Sequence, residues 1–214
     1  MDERSFSVGD AATTARLYRA PATRSTPATT PSKERTFVLA HGAGAGQGHP
    51  FMVAFAEALA ARGIDVVTFD FLYVAAGRRA PDRNDKLEAC WRAALALARA
   101  EWSGRAPFIG GKSMGGRIAS QLAAAGEPCA GLICLGYPLH PPKQPDKLRT
   151  AHLPELAAVP TLILQGRRDP FGTPDELRAH FPPSTEIVAL PGGHSFDDAA
   201  WPEAHARVAE FILR

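Results

Sequence analysis

Short apolar runs recur along the chain, separated by longer stretches in which apolar residues return every three or four positions. The runs at 36–40, 64–69, 108–110, 131–135, 161–164 and 186–190 read as strands. Mostly apolar character over so few residues suits a strand buried on both faces. The stretches between them read as helices. Residues 51–61 put Phe51, Phe55, Ala58 and Leu59 on one side, and residues 85–102 do the same with Leu87, Trp91, Ala94, Leu95 and Ala98. Residues 114–125 align Met114, Ile118 and Leu122. A short helix is expected at 175–180 and a closing one at 202–213, where Pro202 suits the first turn. This alternation predicts an α/β fold: a mostly parallel sheet of six to eight strands with helices on both faces. Residues 5–20 differ. Two strand candidates, around 6–8 and 15–19, flank Gly9-Asp10 and predict an antiparallel hairpin at a sheet edge. Residues 21–35 carry three prolines and many Ser and Thr, and read as a loop.

At 214 residues the chain is expected to form one domain over 1–214. A net charge of +2 points to neither a nucleic-acid partner nor an anionic membrane. Cys90, Cys129 and Cys134 lack metal-ligand spacing, and the two in apolar runs read as buried free thiols. The N-terminal residues lack the apolar core of a secretory signal, and no apolar run approaches a membrane span. The expectation is a cytoplasmic protein, a monomer or small homo-oligomer.

The chemistry concentrates at 107–119, PFIGGKSMGGRIA. An apolar run enters a glycine cluster, Ser113 sits at its centre in Gly111-Lys112-Ser113-Met114-Gly115, and a helical pattern follows. This is the G-x-S-x-G elbow in the strand-turn-helix context it requires. Glycines flank the serine because the strand and helix backbones come close on both sides of the turn. Gly111-Lys112-Ser113 also imitates the end of a phosphate-binding loop, but the first glycine of that pattern would have to be residue 106, which is Ala106.

A serine hydroxyl needs a base, and the base needs a carboxylate to fix its tautomer. His194 follows the last strand in Pro191-Gly192-Gly193-His194-Ser195. Asp169 follows the strand at 161–164 and lies between Ser113 and His194 in chain order, as this arrangement requires. Asp146, Asp175, Asp197 and Asp198 are placed less well. Asp175 reads as a helix-start residue, and Asp197 and Asp198 read as caps of the last helix. The oxyanion of an acyl-transfer intermediate needs two donors. They are expected at the Met114 N–H and at the Ala43 N–H, in the glycine-rich loop His41 to Gly48 after the first core strand. Gln47 and His49 stand where a dinucleotide fingerprint would need glycine, so that loop is not a cofactor cradle.

These motifs together resemble the α/β-hydrolase superfamily over nearly the whole chain. GGKSMGGR, HGAG, FDFLYVAAGRR and QGRRDPFG look more narrowly like small predicted hydrolases related to dienelactone hydrolases and to the hydrolase-like domain of an animal chromatin-complex subunit. The resemblance implies hydrolysis of a small-molecule acyl substrate without a cofactor or metal. A non-catalytic module that keeps the fold, and a peptidase, are the alternatives. Arg78 and Arg79 follow the second core strand and Lys112 and Arg117 flank the serine. They either pair with acids or hold an acidic substrate. Residues 137–156, where this fold often inserts a lid, are short and proline-rich, which predicts at most a flap over a shallow site suited to acyl groups of about two to four carbons.

Overall fold

The computed structural model describes residues 1–21, 35–102 and 106–214. The predicted loop at 21–35 lies, apart from its two ends, outside the described residues. Among the described residues eight strands form one sheet: β1 (Asp2–Val8), β2 (Ala11–Tyr18), β3 (Thr36–Ala40), β4 (Asp65–Phe69), β5 (Phe108–Lys112), β6 (Gly131–Leu135), β7 (Thr161–Gly166) and β8 (Glu186–Leu190). Their order is β1-β2-β4-β3-β5-β6-β7-β8. From β4 to β8 every neighbouring pair is parallel, whereas β1 pairs with β2 and β2 with β4 in antiparallel fashion.

Register turns the apolar runs into two cores. Val38 pairs with Val67 on one side and Ile109 on the other, and Ile109 pairs with Leu132, so these four side chains form a row on one face. The residues between them, among them Phe37, Val66, Phe108 and Ile133, belong to the core of the opposite face. Helices α3 (Asn84–Glu101) and α4 (Met114–Ala124) cover the first face with Trp91, Leu95, Ile118 and Leu122. Helices α1 (Pro50–Ala60) and α6 (Trp201–Leu213) cover the second with Phe55, Leu59, Val208 and Ile212. The remaining helices, α2 (Leu72–Ala75) and α5 (Pro174–His180), are short. A capping box starts α5: Thr173 Oγ1 accepts from the Glu176 N–H, and the Glu176 carboxylate accepts from the Thr173 N–H.

The element pattern follows the sequence closely and departs from it at the edges. β1 begins at Asp2, well before the predicted strand, because most of it is exposed and carries no apolar signature. β5 runs on through Gly111 and Lys112, held by pairing to Ala40, Cys134 and Leu135. The single turn α2 was not expected. Asp197 opens a 3₁₀ turn and neither it nor Asp198 makes a side-chain cap to the last helix, whose N-cap is Ala200. In the segment at 137–156, Tyr137, Leu139, Leu153 and Leu156 are fully buried, so this stretch packs onto the core and does not form a lid. Among the described residues no helix is long and apolar enough to cross a membrane.

The strand order sets where chemistry can occur. The chain moves from β3 to β4 in one direction, while β5 lies on the other side of β3. The loops after β3 and β5 therefore diverge and leave a crevice at the carboxyl ends of the strands.

Candidate active site

Ser113 stands at the tip of β5, with φ of 50° and ψ of −115°. A non-glycine residue in this region is strained, and such strain persists only where the surroundings over-determine it. Here they do. The Ser113 N–H donates to Leu135 O at 3.0 Å, and Ser113 O accepts from the Arg117 N–H at 3.0 Å. A Cβ on Gly115 would lie 2.6 Å from Ala40 O and 2.7 Å from His41 O, and one on Gly111 would collide with Ala40 O. The glycines around the serine are thus required by the backbone of β3 passing directly beneath the turn.

The structure brings Ser113, His194 and Asp169 together. Ser113 Oγ–H donates to His194 Nε2 at 2.8 Å, and His194 Nδ1–H donates to Asp169 Oδ2 at 2.8 Å. Asp169 is buried, and its other oxygen accepts from the Phe171 N–H at 2.9 Å. The Phe171 ring lies against the imidazole, with centroids 4.3 Å apart. Asp169 comes from the loop after β7 and His194 from the loop after β8, so both reach the serine from the carboxyl edge of the sheet.

Residues that the sequence reading passed over hold these groups. Gln165, fully buried at the end of β7, donates from Nε2 to Asp169 Oδ2 at 2.9 Å and to Gly172 O at 2.6 Å, and its Oε1 accepts from the Tyr137 N–H at 2.7 Å. Gln47 does the same for the loop after β3. It donates to Thr14 Oγ1 at 2.8 Å, its backbone N–H donates to Asp70 Oδ1 at 2.7 Å, and its Oε1 accepts from Thr68 Oγ1 at 3.2 Å. His41 completes this brace: Nδ1–H donates to Gly42 O at 2.8 Å while Nε2 accepts from the Phe71 N–H at 3.2 Å. Burial pushes the His41 pKa below the ordinary histidine value, which keeps the ring in this neutral tautomer. A polar residue immediately after an apolar strand was the only sequence signal for Gln165, and Gln47 gave none beyond its place in a glycine-rich loop.

A cavity of about 560 Å³ opens over Ser113. Ala43 and Met114, the expected oxyanion donors, both line it, and a Cβ on Gly42 would lie 3.5 Å from the Ser113 Cβ, so the loop after β3 passes beside Ser113. Phe51, Met52, Leu87 and Trp201 form an apolar side of this cavity. These walls come from α1, α3 and α6, which is why a sequence without a lid still has a pocket larger than the shallow one expected.

The basic residues divide. Lys112 lines the cavity, and its Nζ donates to His194 O. Burial lowers its pKa from the usual 10.5 to about 8, against a small upward pull from Asp169. Arg117 lines the cavity too. Arg78 and Arg79 do not. The Arg78 guanidinium donates to Asp82 at 2.7 Å, and Arg79 is exposed. Both follow the turn of α2 and lie outside the set of residues that line the cavity.

The model of a family described as alpha/beta hydrolase domain matches residues 33–206. Solved structures share the fold across almost the entire chain. An alpha-beta serine hydrolase homologue from Coxiella burnetii is 19% identical with a TM-score of 0.76, covering 98% of this chain and 96% of its own. A dienelactone hydrolase from Anabaena variabilis is 18% identical with a TM-score of 0.77, covering 99% and 96%. A serine hydrolase from Xanthomonas campestris, described as without lid, is 18% identical with a TM-score of 0.73, covering 100% and 94%. With the family match spanning well over half of the chain and the elbow, histidine and buried aspartate in one hydrogen-bonded line, this chain belongs to the alpha/beta hydrolase domain family.

Proposed function

We propose that the protein is a cytoplasmic serine hydrolase that cleaves a small ester, thioester or related acyl compound through a covalent acyl-enzyme, with no cofactor. The observation that carries this reading is the 2.8 Å and 2.8 Å chain from Ser113 through His194 to Asp169, open to a cavity at the carboxyl ends of the strands. Ser113 Oγ attacks the acyl carbon as its proton passes to His194 Nε2. Asp169 holds the Nδ1–H tautomer and stabilises the imidazolium. The N–H groups of Met114 and Ala43 stabilise the oxyanion. Collapse of the tetrahedral intermediate expels the alcohol or thiol, which takes the proton from His194. Water then repeats the sequence on the acyl-Ser113 and releases the acid. The narrower kinship with small hydrolases related to a chromatin-complex subunit rests on the motifs alone and is part of this proposal.

A fluorophosphonate probe tests the nucleophile. The wild-type chain is expected to label at Ser113, and Ser113→Ala to lose both labelling and ester hydrolysis by several orders of magnitude, because nucleophile and base act as a unit. Its thermal midpoint should stay within a few degrees. Full labelling of Ser113→Ala at another serine, such as Ser195, would sink the assignment. A wild-type chain that neither labels nor turns over esters would be a non-catalytic module with a hydrolase fold.

A further inference from the structure

The cavity over Ser113 carries positive charge that the protein does not neutralise. Arg117 sits one turn after the nucleophile on α4, its N–H bonded to Ser113 O. Among the described residues its guanidinium makes two long contacts, both to neutral amides: Gln121 Oε1 at 3.4 Å and Asn84 Oδ1 at 3.5 Å. Arg149, from the segment after β6, reaches the same cavity and donates to Pro138 O at 3.3 Å. Among the described residues neither arginine has a carboxylate within ion-pair distance, whereas Arg78, Arg92, Arg99 and Arg178 all do. Burial, and after it the repulsion from Arg149, holds the Arg117 pKa below the usual arginine value. Asp82, the one acid on the cavity wall among the described residues, is already bound by Arg78 at 2.7 Å. Lys112 adds a third positive charge, engaged with His194 O.

Two half-buried guanidinium groups on one cavity wall, with no counter-ion among the described residues, cost stability. The geometry points to a subsite for a carboxylate on the acyl part of the substrate, gripped by Arg117 and Arg149 while the acyl carbon sits at Ser113. The class is half-esters or half-thioesters of short dicarboxylic acids. A planar guanidinium matches a carboxylate with two parallel hydrogen bonds. Arg117 follows Ser113 by one helical turn, about 6 Å of rise along α4, so short diacids of four to six carbons are the ones to test. This inference rests on Ser113 being the nucleophile.

The test compares three esters: mono-4-nitrophenyl glutarate, neutral 4-nitrophenyl pentanoate, and 4-carboxyphenyl pentanoate, which carries its charge on the leaving group. Rates are corrected for spontaneous hydrolysis. The wild-type kcat/KM is expected to favour the glutarate over the pentanoate by on the order of 10-fold or more, as hydrogen bonds to charged groups contribute. Raising salt from 0.05 to 1 M should shrink that ratio. Arg117→Gln, Arg149→Gln and the double variant should lower it, chiefly through KM, with Arg149→Lys keeping part of it. A wild-type ratio near one, or a ratio that the double variant leaves intact, overturns the subsite. A gain confined to 4-carboxyphenyl pentanoate overturns its placement on the acyl side. Should the double variant not fold, the single variants and the wild-type salt dependence still decide. If the wild-type chain hydrolyses none of the esters, the hydrolase reading fails separately, and calorimetry with glutarate on Ser113→Ala reads the subsite directly. Binding that is lost on adding Arg117→Gln and Arg149→Gln supports it, and no binding overturns it.

Discussion

Lys112 shows how one residue couples the site to its own stability. It precedes Ser113 in the chain, and its ammonium holds the backbone carbonyl of His194, so it positions the proposed base. Burial lowers its pKa to about 8. The sign of the consequence follows. Between about 8 and the ordinary 10.5 the unfolded chain binds a proton that the folded chain has released, so this group's contribution makes stability rise with pH across that window. Buried Cys90 and Cys134 have raised pKa values and act in the opposite direction, so the informative quantity is the difference between wild type and Lys112→Met. Denaturant titrations at pH 7 should find Lys112→Met more stable by ~1–3 kcal/mol, with the gap closing toward pH 10. Its kcat/KM should fall, and an alkaline limb near pH 8 in the wild type should vanish. A variant that is less stable at pH 7 would show that the hydrogen bond to His194 outweighs the cost of burying the charge. At this scale the sequence marks Ser113, His194 and Asp169 because reactive residues sit in recognisable turns. Gln165, Gln47 and Asp70 escape it, since a buried amide or carboxylate declares its role only through partners far away in the chain.

Elements were legible where the apolar run was compact. β3 and β6, buried on both faces, and the half-buried edge strand β8 have the bounds that their apolar runs predict, whereas β1 and α2 are exposed or short and leave no periodic trace. The junction of β5 and α4 is the element on which function depends, and two glycines separate the ways it can fail. Gly115 is needed for space: its added Cβ would stand 2.6 Å from Ala40 O, a backbone atom in the middle of the sheet. Gly126, just past α4, has nothing within 4 Å of such a Cβ but a φ of +84°. Gly115→Ala should therefore destabilise by ~2–4 kcal/mol and abolish fluorophosphonate labelling, because neither the start of α4 nor the end of β3 can retreat. Gly126→Ala should cost ~1–2 kcal/mol, the ordinary penalty of a left-handed residue, and label normally. Equal costs at both positions would mean that the elbow is less tightly packed than these contacts indicate.

On the scale of the molecule, alternation of strands and helices implied a parallel sheet with its reactive loops at the carboxyl ends, and the hairpin of β1 and β2 indeed sits at the sheet edge. The strand order itself is not written in the apolar pattern, because every interior strand is equally apolar. Nor is the cavity, whose walls are side chains from helices distant in sequence. Phe51, Met52, Leu87 and Trp201 meet only because α1 and α6 flank one face of the sheet and α3 the other. Phe51 and Trp201, with ring centroids 4.9 Å apart, make this apolar wall continuous. A cavity of about 560 Å³ lies within the range that holds small molecules. For neutral 4-nitrophenyl esters each methylene covered by such a wall contributes about 0.8 kcal/mol, close to fourfold in kcat/KM. The series from acetate upward should climb by that factor per carbon and level off at about four to six carbons, beyond the two to four suggested by the missing lid alone. Assays below the micellar concentration, repeated without detergent, keep aggregation out of the slope. A flat series from acetate onward would mean that the wall does not receive the acyl chain. A climb that continues past ten carbons would mean that the open side of the cavity extends into a longer groove.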